Sequence, residues 1–263
     1  MTTQAIDALR AIHEQMRALA GQLTDEQWAS PSGCEGWRVQ DVFAHVTSNM
    51  KETVDPSPPP EEPVEMKAEE AMDALVQPRL DWSPEQLLAE YDANAEGWLG
   101  AMAAMQEEPT ASTVAPLADL GSHPLNMVAN AFAFDHYCHL WIDMADLAAD
   151  MPPATDDMVR PGIDWMIAGM PQMQPSELAQ AVGQKLVLDL TGPGGGQWVI
   201  EPGSDMINVT EGDAGADDAA AIIRSSAHDF VSWGTKRSDW RGACQIEGDE
   251  VAATPFLDTV NII

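Results

Sequence analysis

The spacing of apolar residues changes once along this chain, and that change constrains its fold class more than any other feature. From residue 5 to about residue 170, apolar residues mostly recur at intervals of three and four, which is typical of amphipathic helices. After Pro175, short β-rich runs alternate with glycine-rich turns. We therefore predict an α+β protein, with a helical domain over residues 1–175 and a small α/β domain over residues 176–263.

The helices of the first domain are separated by segments rich in proline or glycine. Ser83, Pro84 and Gln86 form a typical helix start, because a capping hydroxyl is followed by a proline at the first helical position. The segment 55–65 carries five prolines and four acidic residues, so we predict a solvated loop there. Helices are predicted over residues 6–21, 39–52, 66–76, 84–105, 125–149 and 155–170.

The second domain combines short strands with short helices. Two β-rich runs, 185–190 and 197–200, flank the glycine-rich segment 192–196, which is typical of a hairpin connection. Further predicted elements are a strand over 206–210, either a strand or a helix over 217–225, and a short helix over 227–233.

The chain is strongly acidic, with 12 Lys and Arg against 43 Asp and Glu and a formal net charge of −31. Such a surface repels phosphate backbones and anionic lipid headgroups, so we expect neither nucleic-acid nor membrane partners. We find no apolar run of the length that spans a bilayer and no secretory signal at the N-terminus. The three cysteines cannot all pair and have no metal-type spacing, which favours a reduced, cytoplasmic protein.

A candidate metal site is indicated by acidic residues and histidines on the predicted helices. Asp135 and His139 are four residues apart and share one helix face, which Asp143 continues by one turn. His45, on another helix, completes a set of three ligands, which would leave coordination positions open for catalysis. Two ordinary alternatives stay open, namely a core histidine at position 45 and a simple hydrogen-bonded pair at 135 and 139. His136 points about 100° away from Asp135, so we interpret it as structural or surface-facing.

Two stretches of sequence carry a resemblance to a known family. The first runs from Leu23 to Val46 and contains Gly36-Trp37-Arg38-Val39-Gln40-Asp41-Val42-Phe43-Ala44-His45. The second comprises Leu190–Trp198, Ser226–Phe230 and Glu247–Asp249. Together they resemble the mycothiol-dependent maleylpyruvate isomerase family. The resemblance implies an N-terminal DinB-like four-helix bundle that binds a metal, followed by a small sterol-carrier-like α/β domain.

The resemblance also implies site residues. In that family the histidine that closes the first motif is a metal ligand, which here is His45, and the later pair of ligands corresponds to Asp135 and His139. The family acid is usually Glu, so Asp135 is one methylene shorter. The family commonly has an Asp three residues after the second histidine, where this chain has Ile142 and then Asp143.

The resemblance finally implies an activity. A divalent metal, Zn²⁺ in the first place, would activate mycothiol or another small thiol for an isomerase or S-transferase reaction on a small electrophilic substrate. An arginine of the C-terminal domain contributes to catalysis in the family. Arg237 is the nearest candidate for that role here, and Arg241 is the second; either one as easily fits a solvated surface residue.

Two other functions stay open at this point. The 15 methionines and nine tryptophans would suit a non-catalytic carrier that encloses an apolar small molecule, although core filling also explains their number. The change from Glu to Asp135 and the displaced Asp143 are equally compatible with a metal-binding member that has lost catalysis.

Overall fold

The computed structural model describes residues 3–58, 66–213 and 216–262. The chain divides into two compact units, Met1–Pro152 and Pro153–Ile263. The first is helical and the second is built on a small sheet, so the predicted α+β class is confirmed.

The N-terminal unit is a bundle of four long helices with shorter elements between them. Helix α3 packs against α5, and α1 packs against both α5 and α6. The described elements are α1 (Gln4–Ala20), α2 (Asp25–Trp28), α3 (Val39–Val54), α4 (Ala68–Val76), α5 (Pro84–Ala104), the hairpin strands β1 (Val114–Pro116) and β2 (Ser122–Pro124), and α6 (Val128–Cys138).

The helix starts follow the local sequence signals. Ser83 caps α5 by accepting a hydrogen bond from the backbone N–H of Gln86, and Pro84 occupies the first position, as predicted. Helix α1 buries its whole apolar stripe. The predicted loop 55–65 is non-helical over 55–58, and its remaining residues, 59–65, lie outside the described part of the chain.

The helix predicted over 125–149 is shorter than expected. After α6 the chain continues as a single π-helical turn, His139–Asp143, which closes with a hydrogen bond from the N–H of Met144 to the carbonyl of His139. The carbonyl of Asp143 accepts its hydrogen bond from the N–H of Gly33 instead of continuing the helix. A contact from a distant loop therefore ends this helix, and residues 144–149 form turns.

The C-terminal unit contains a five-stranded sheet. The strand order is β5-β4-β3-β6-β7, with β3 and β6 parallel and the other pairs antiparallel. Its elements are α7 (Asp156–Met173), α8 (Pro175–Ala181), β3 (Leu186–Thr191), β4 (Gly196–Glu201), β5 (Asn208–Glu211), β6 (Ala221–Ser226), α9 (Ala227–Gly234), β7 (Gln245–Gly248) and α10 (Glu250–Thr259).

The division between the units lies after Pro152, whereas the sequence-based boundary falls after residue 175. Helix α7 packs against α8, α9 and β5, so it belongs to the second unit. Its apolar face has helical spacing like that of the bundle helices, which is why the sequence pattern groups it with them. The segment 217–225, left open between strand and helix, contains most of the interior strand β6. Over the described residues, no helix combines the length and apolar character needed to cross a membrane.

Candidate metal centre

Helix α3 supplies the first of the candidate ligands. All residues from Val39 to Met50 are buried, and His45 is 3% exposed. The helix start is fixed by Asp41, whose carboxylate accepts hydrogen bonds from the backbone N–H and the guanidinium of Arg38. The position of His45 on the inward side of the bundle thus follows from a helix that is buried over three turns.

Helix α6 and the π-helical turn supply the other two. Asp135 and His139 face the same side, with His139 Nε2 lying 3.3 Å from Asp135 Oδ1. Across the bundle, His45 Nε2 lies 2.9 Å from Asp135 Oδ2. One ligand atom from each of the three residues lies within 4.8 Å of the others, a spacing at which all three can contact one cation. The structure therefore brings together the three residues that the sequence analysis selected.

The arrangement strongly shifts the charges of its members. Burial by itself would raise the pKa of Asp135, but the neighbouring His45 and His139 hold that pKa well below its usual range. Burial by itself would lower the pKa of His139, whereas Asp135 and a hydrogen bond to Asp143 raise it well above its usual value. The carboxylates of Asp135 and Asp143 thus stabilise positive charge on the ring of His139.

The surroundings of His45 test whether the group suits a metal ion. Its Nε2 lies between the carboxylate of Asp135 and the amide nitrogen of Asn49, at 2.9 Å and 3.3 Å. One ring nitrogen cannot donate to a carboxylate and accept from an amide at the same time. A cation among these groups would use the Nε2 lone pair and the carboxylate together, as imidazole and carboxylate ligands of divalent ions do. The residues therefore fit a divalent metal.

Two residues that the sequence analysis did not select as ligands, Asp143 and Cys34, contact the other side of the His139 ring. Asp143 Oδ2 accepts a hydrogen bond from His139 Nδ1 at 2.9 Å and another from the thiol of Cys34 at 3.0 Å. Cys34, His139 and Asp143 also form a group with metal-ligand spacing. A carboxylate on the second ring nitrogen is the usual outer partner of a metal-binding histidine. The spacing of four between His139 and Asp143 carries this signal; Cys34 has no signal in the sequence beyond its place in the motif.

The tryptophan of the first motif covers the two imidazoles. The ring of Trp37 lies 5.3 Å from that of His45 and 6.2 Å from that of His139. Its indole N–H donates to Asp73, which holds the ring in place. The side chain of Asp135 is 31% exposed, so the cluster is not completely closed to solvent.

The three candidate ligands lie within a segment of the chain that matches a known family. The sequence model of a family described as "Mycothiol maleylpyruvate isomerase N-terminal domain" matches residues 9–148, which include all three candidate ligands. The chain belongs to this family. The resemblance found in the sequence is thereby confirmed.

Solved structures agree with this assignment at the level of the fold. A mycothiol-dependent maleylpyruvate isomerase is 17% identical, with a TM-score of 0.56, and the match covers 94% of this chain and 96% of that one. A histidine-to-alanine mutant of a mycothiol-dependent maleylpyruvate isomerase matches with the same TM-score and coverage at 16% identity. The match to Sterol Carrier Protein 2 from Yarrowia lipolytica (apo form) covers 40% of this chain and 88% of that protein's chain, at 17% identity and a TM-score of 0.27. No curated protein matches the chain in sequence.

Three further residues considered in the sequence analysis can be placed in the structure. Arg237, selected from the resemblance, is exposed and follows α9 in the C-terminal unit. Arg241, the second choice, lies over the ring of Trp240 and donates to Asp258 at 3.0 Å. His136 is fully buried, so the surface-facing alternative is wrong and only the structural interpretation remains from the sequence analysis.

Proposed function

We propose that this chain is a metal-dependent, thiol-using isomerase or S-transferase that acts on a small electrophilic substrate, with mycothiol as the thiol. The observation that carries the proposal is the convergence of His45, Asp135 and His139 on one point, in a chain of the mycothiol maleylpyruvate isomerase family. Family membership supports the thiol chemistry, and the donor set supports a divalent ion, Zn²⁺ in the first place.

The residues around the cluster have distinct tasks in this proposal. His45, Asp135 and His139 would hold the ion, which when bound lowers the pKa of a coordinated thiol into the neutral range. Asp143 keeps the Nδ1 proton on His139, so that Nε2 presents its lone pair to the ligand set. Trp37 shields the imidazoles, while the exposed edge of Asp135 leaves an approach for the thiol.

The reaction implied by the family follows from thiolate chemistry. The sulfur forms a bond to one carbon of an activated double bond, and the electron pair of that double bond moves into the conjugated carbonyl. The resulting single bond rotates, and elimination restores the double bond and releases the same thiolate. In a transferase the carbon–sulfur bond would instead remain, with a leaving group or a proton balancing the product.

We propose Arg237 as the catalytic arginine of the C-terminal unit. This assignment rests on the family resemblance alone. A guanidinium suits the carboxylates or developing oxyanions of such substrates. The comparison of Arg237→Ala with Arg241→Ala tests this assignment. Turnover that falls only in the Arg237 variant supports it, and equal turnover in the two variants contradicts it.

The decisive experiment measures metal in protein purified without chelator, by elemental analysis. We expect stoichiometric divalent metal in the wild type and its loss in the double variant His45→Ala, His139→Ala. The matched control is His123→Ala, because His123 is also buried in the N-terminal unit but lies outside the ligand group. A wild type without metal, or a double variant that retains it, would overturn the metal assignment.

A second measurement distinguishes an enzyme from a non-catalytic carrier. Thiol-dependent turnover of electrophilic substrates should disappear on chelation and return when the metal is restored. Binding of apolar ligands that ignores the metal would instead favour the carrier. Four tryptophans, Trp98, Trp165, Trp198 and Trp233, are almost completely buried, which supports core filling as the explanation of their number.

A further inference from the structure

A second pair of histidines lies directly behind the candidate ligand Asp135. His13 Nε2 and His136 Nδ1 are 2.9 Å apart, although the two residues are 123 positions apart in the chain. On its other side, His136 Nε2 lies 3.6 Å from Asp135 Oδ2. The rings of His13 and His136 thus form a continuous path from helix α1 to the carboxylate.

This pair is held rigidly and kept from water. His136 is completely buried and His13 is 5% exposed. The indole of Trp98 stacks on His13 with 5.0 Å between ring centroids, and Tyr91 donates its hydroxyl to the backbone carbonyl of His13 at 3.2 Å. Burying two imidazoles in this way costs free energy, which a purely apolar core would avoid. A functional reason for their presence is therefore worth testing.

The protons of the pair can be assigned from its contacts. Two ring nitrogens 2.9 Å apart form a hydrogen bond when one carries a proton and the other accepts it, so in two neutral rings one proton lies between His13 Nε2 and His136 Nδ1. If that proton were on His136 Nδ1, the lone pair of His136 Nε2 would face the carboxylate of Asp135. If it is on His13 Nε2, His136 carries its proton on Nε2 and turns an N–H toward that carboxylate. The negative charge of Asp135 favours the arrangement in which His136 carries its proton on Nε2.

The two outer nitrogens of the pair do not distinguish the two arrangements. Within the described residues, His13 Nδ1 and His136 Nε2 are both buried without a hydrogen-bond partner. The favoured arrangement leaves His13 Nδ1 as an unprotonated acceptor and gives the proton to the nitrogen nearest Asp135. At 3.6 Å this contact is longer than a hydrogen bond, so it acts as a dipole directed at a charge.

We propose that His136, fixed by His13, is a positioning residue that orients the carboxylate of Asp135 for metal binding. The proposal rests on the proposed function, because it takes Asp135 as a ligand. Asp135 Oδ1 faces His139, while Oδ2 faces both His45 and His136. A carboxylate ligand that is one methylene shorter than Glu reaches the ion only in a restricted orientation, and an N–H from behind restricts it. Outer partners that hydrogen-bond a ligand commonly contribute about 10–100-fold to metal affinity, and a contact of 3.6 Å should contribute at the lower end of that range.

Zinc affinity, measured by competition with a chromophoric chelator, tests the effect on the metal. We expect His136→Phe, which replaces the imidazole by another aromatic ring and removes the N–H, to weaken Zn²⁺ binding by about 10-fold. His136→Gln keeps an amide N–H and should recover part of the loss. His123→Phe is the matched control, since it replaces another buried histidine and should leave the affinity unchanged. The visible spectrum of the Co²⁺-loaded protein should change in His136→Phe and remain unchanged in His123→Phe.

A metal-free measurement tests the tautomer independently. In ¹⁵N-histidine-labelled wild type without metal, we expect the His136 ring to be protonated at Nε2 and unprotonated at Nδ1, with the Nδ1 shift altered by His13→Phe. The opposite tautomer would overturn the proposal, as would wild-type zinc affinity in His136→Phe or equal losses in His136→Phe and His136→Gln. A wild type that takes up no metal would contradict the proposed function instead, and the tautomer would still decide whether the pair directs an N–H at Asp135.

Discussion

Asp143 holds His139 from the side of the imidazole ring that faces away from the ligand group. Its Oδ2 accepts the Nδ1–H at 2.9 Å, while Nε2 of the same ring lies 3.3 Å from Asp135. The side chain of Asp143 is 1% exposed, so this contact is protected from water. The tautomer and the orientation of a proposed ligand are thus set by a residue one helical turn away.

Removal of this carboxylate should weaken metal binding. We expect Asp143→Ala to lower Zn²⁺ affinity by about 10–100-fold, because the Nδ1–H of His139 loses its acceptor. Asp143→Asn keeps an acceptor oxygen and should lose less. The control is the exposed neighbour Asp146→Ala. Competition titration checks the order, and equal affinities for Asp143→Ala and the control would contradict the role of Asp143.

The backbone approach beside Asp143 requires glycine at position 33. A Cβ added to Gly33 would lie 2.8 Å from the Asp143 Cα, and the Gly33 N–H donates to the Asp143 carbonyl at 2.7 Å. We expect Gly33→Ala to lower the free energy of unfolding by about 1–3 kcal/mol and to weaken metal binding. Gly100→Ala, in α5 with open space around the added methyl, should raise stability by about 0.5–1 kcal/mol. Urea unfolding measures both, and a Gly33 variant as stable as the wild type would show that the loop shifts freely.

The buried ring of His13 should make stability fall in mild acid. Burial lowers its pKa from 6.5 to about 3, so below pH 6.5 the unfolded chain binds a proton that the folded protein does not. The stability present above pH 6.5 is therefore lost progressively as the pH falls toward 3, by about 1.4 kcal/mol per pH unit.

At pH 5 the wild type should therefore have lost about 2 kcal/mol of its free energy of unfolding. His13→Phe should not show this loss. Unfolding of the wild type and the variant at pH 7 and pH 5 measures the difference, with the exposed His228→Gln as control. Identical pH dependence in the wild type and His13→Phe would mean that His13 does not stay neutral in the folded protein.

Breaking a buried ion pair of the bundle should lower stability more than breaking an exposed one. Arg79 donates to both carboxylate oxygens of Glu90, at 2.7 and 2.9 Å, and these side chains are 8% and 15% exposed. Glu90→Ala leaves a buried guanidinium without that partner, so we expect a loss of about 3 kcal/mol. Asp92→Ala breaks the Arg17 pair, whose side chains are 41% and 53% exposed, and should cost less than about 1 kcal/mol. Thermal unfolding that ranks the two variants equally would contradict this difference.

Local patterns in the sequence were enough to predict most helices and strands. Periods of three and four indicated the bundle helices, and the capping residues near Ser83 indicated where α5 begins. The spacing of four between Asp135 and His139 placed them on one face, because that relation depends only on helix geometry. The fold class and the pairing of Asp135 with His139 were therefore accessible without any long-range information.

The chain's sequence alone thus determined which residues could share a helix face, and only the tertiary structure decided which faces meet. The end of α6, the assignment of α7 to the second unit, and the contact between His13 and His136 all depend on residues far apart in sequence. So does the position of Cys34 against Asp143. Side chains on one face of a helix recur at every third or fourth position and leave a periodic pattern in the sequence, whereas contacts between elements arise from the packing of the whole chain and leave none.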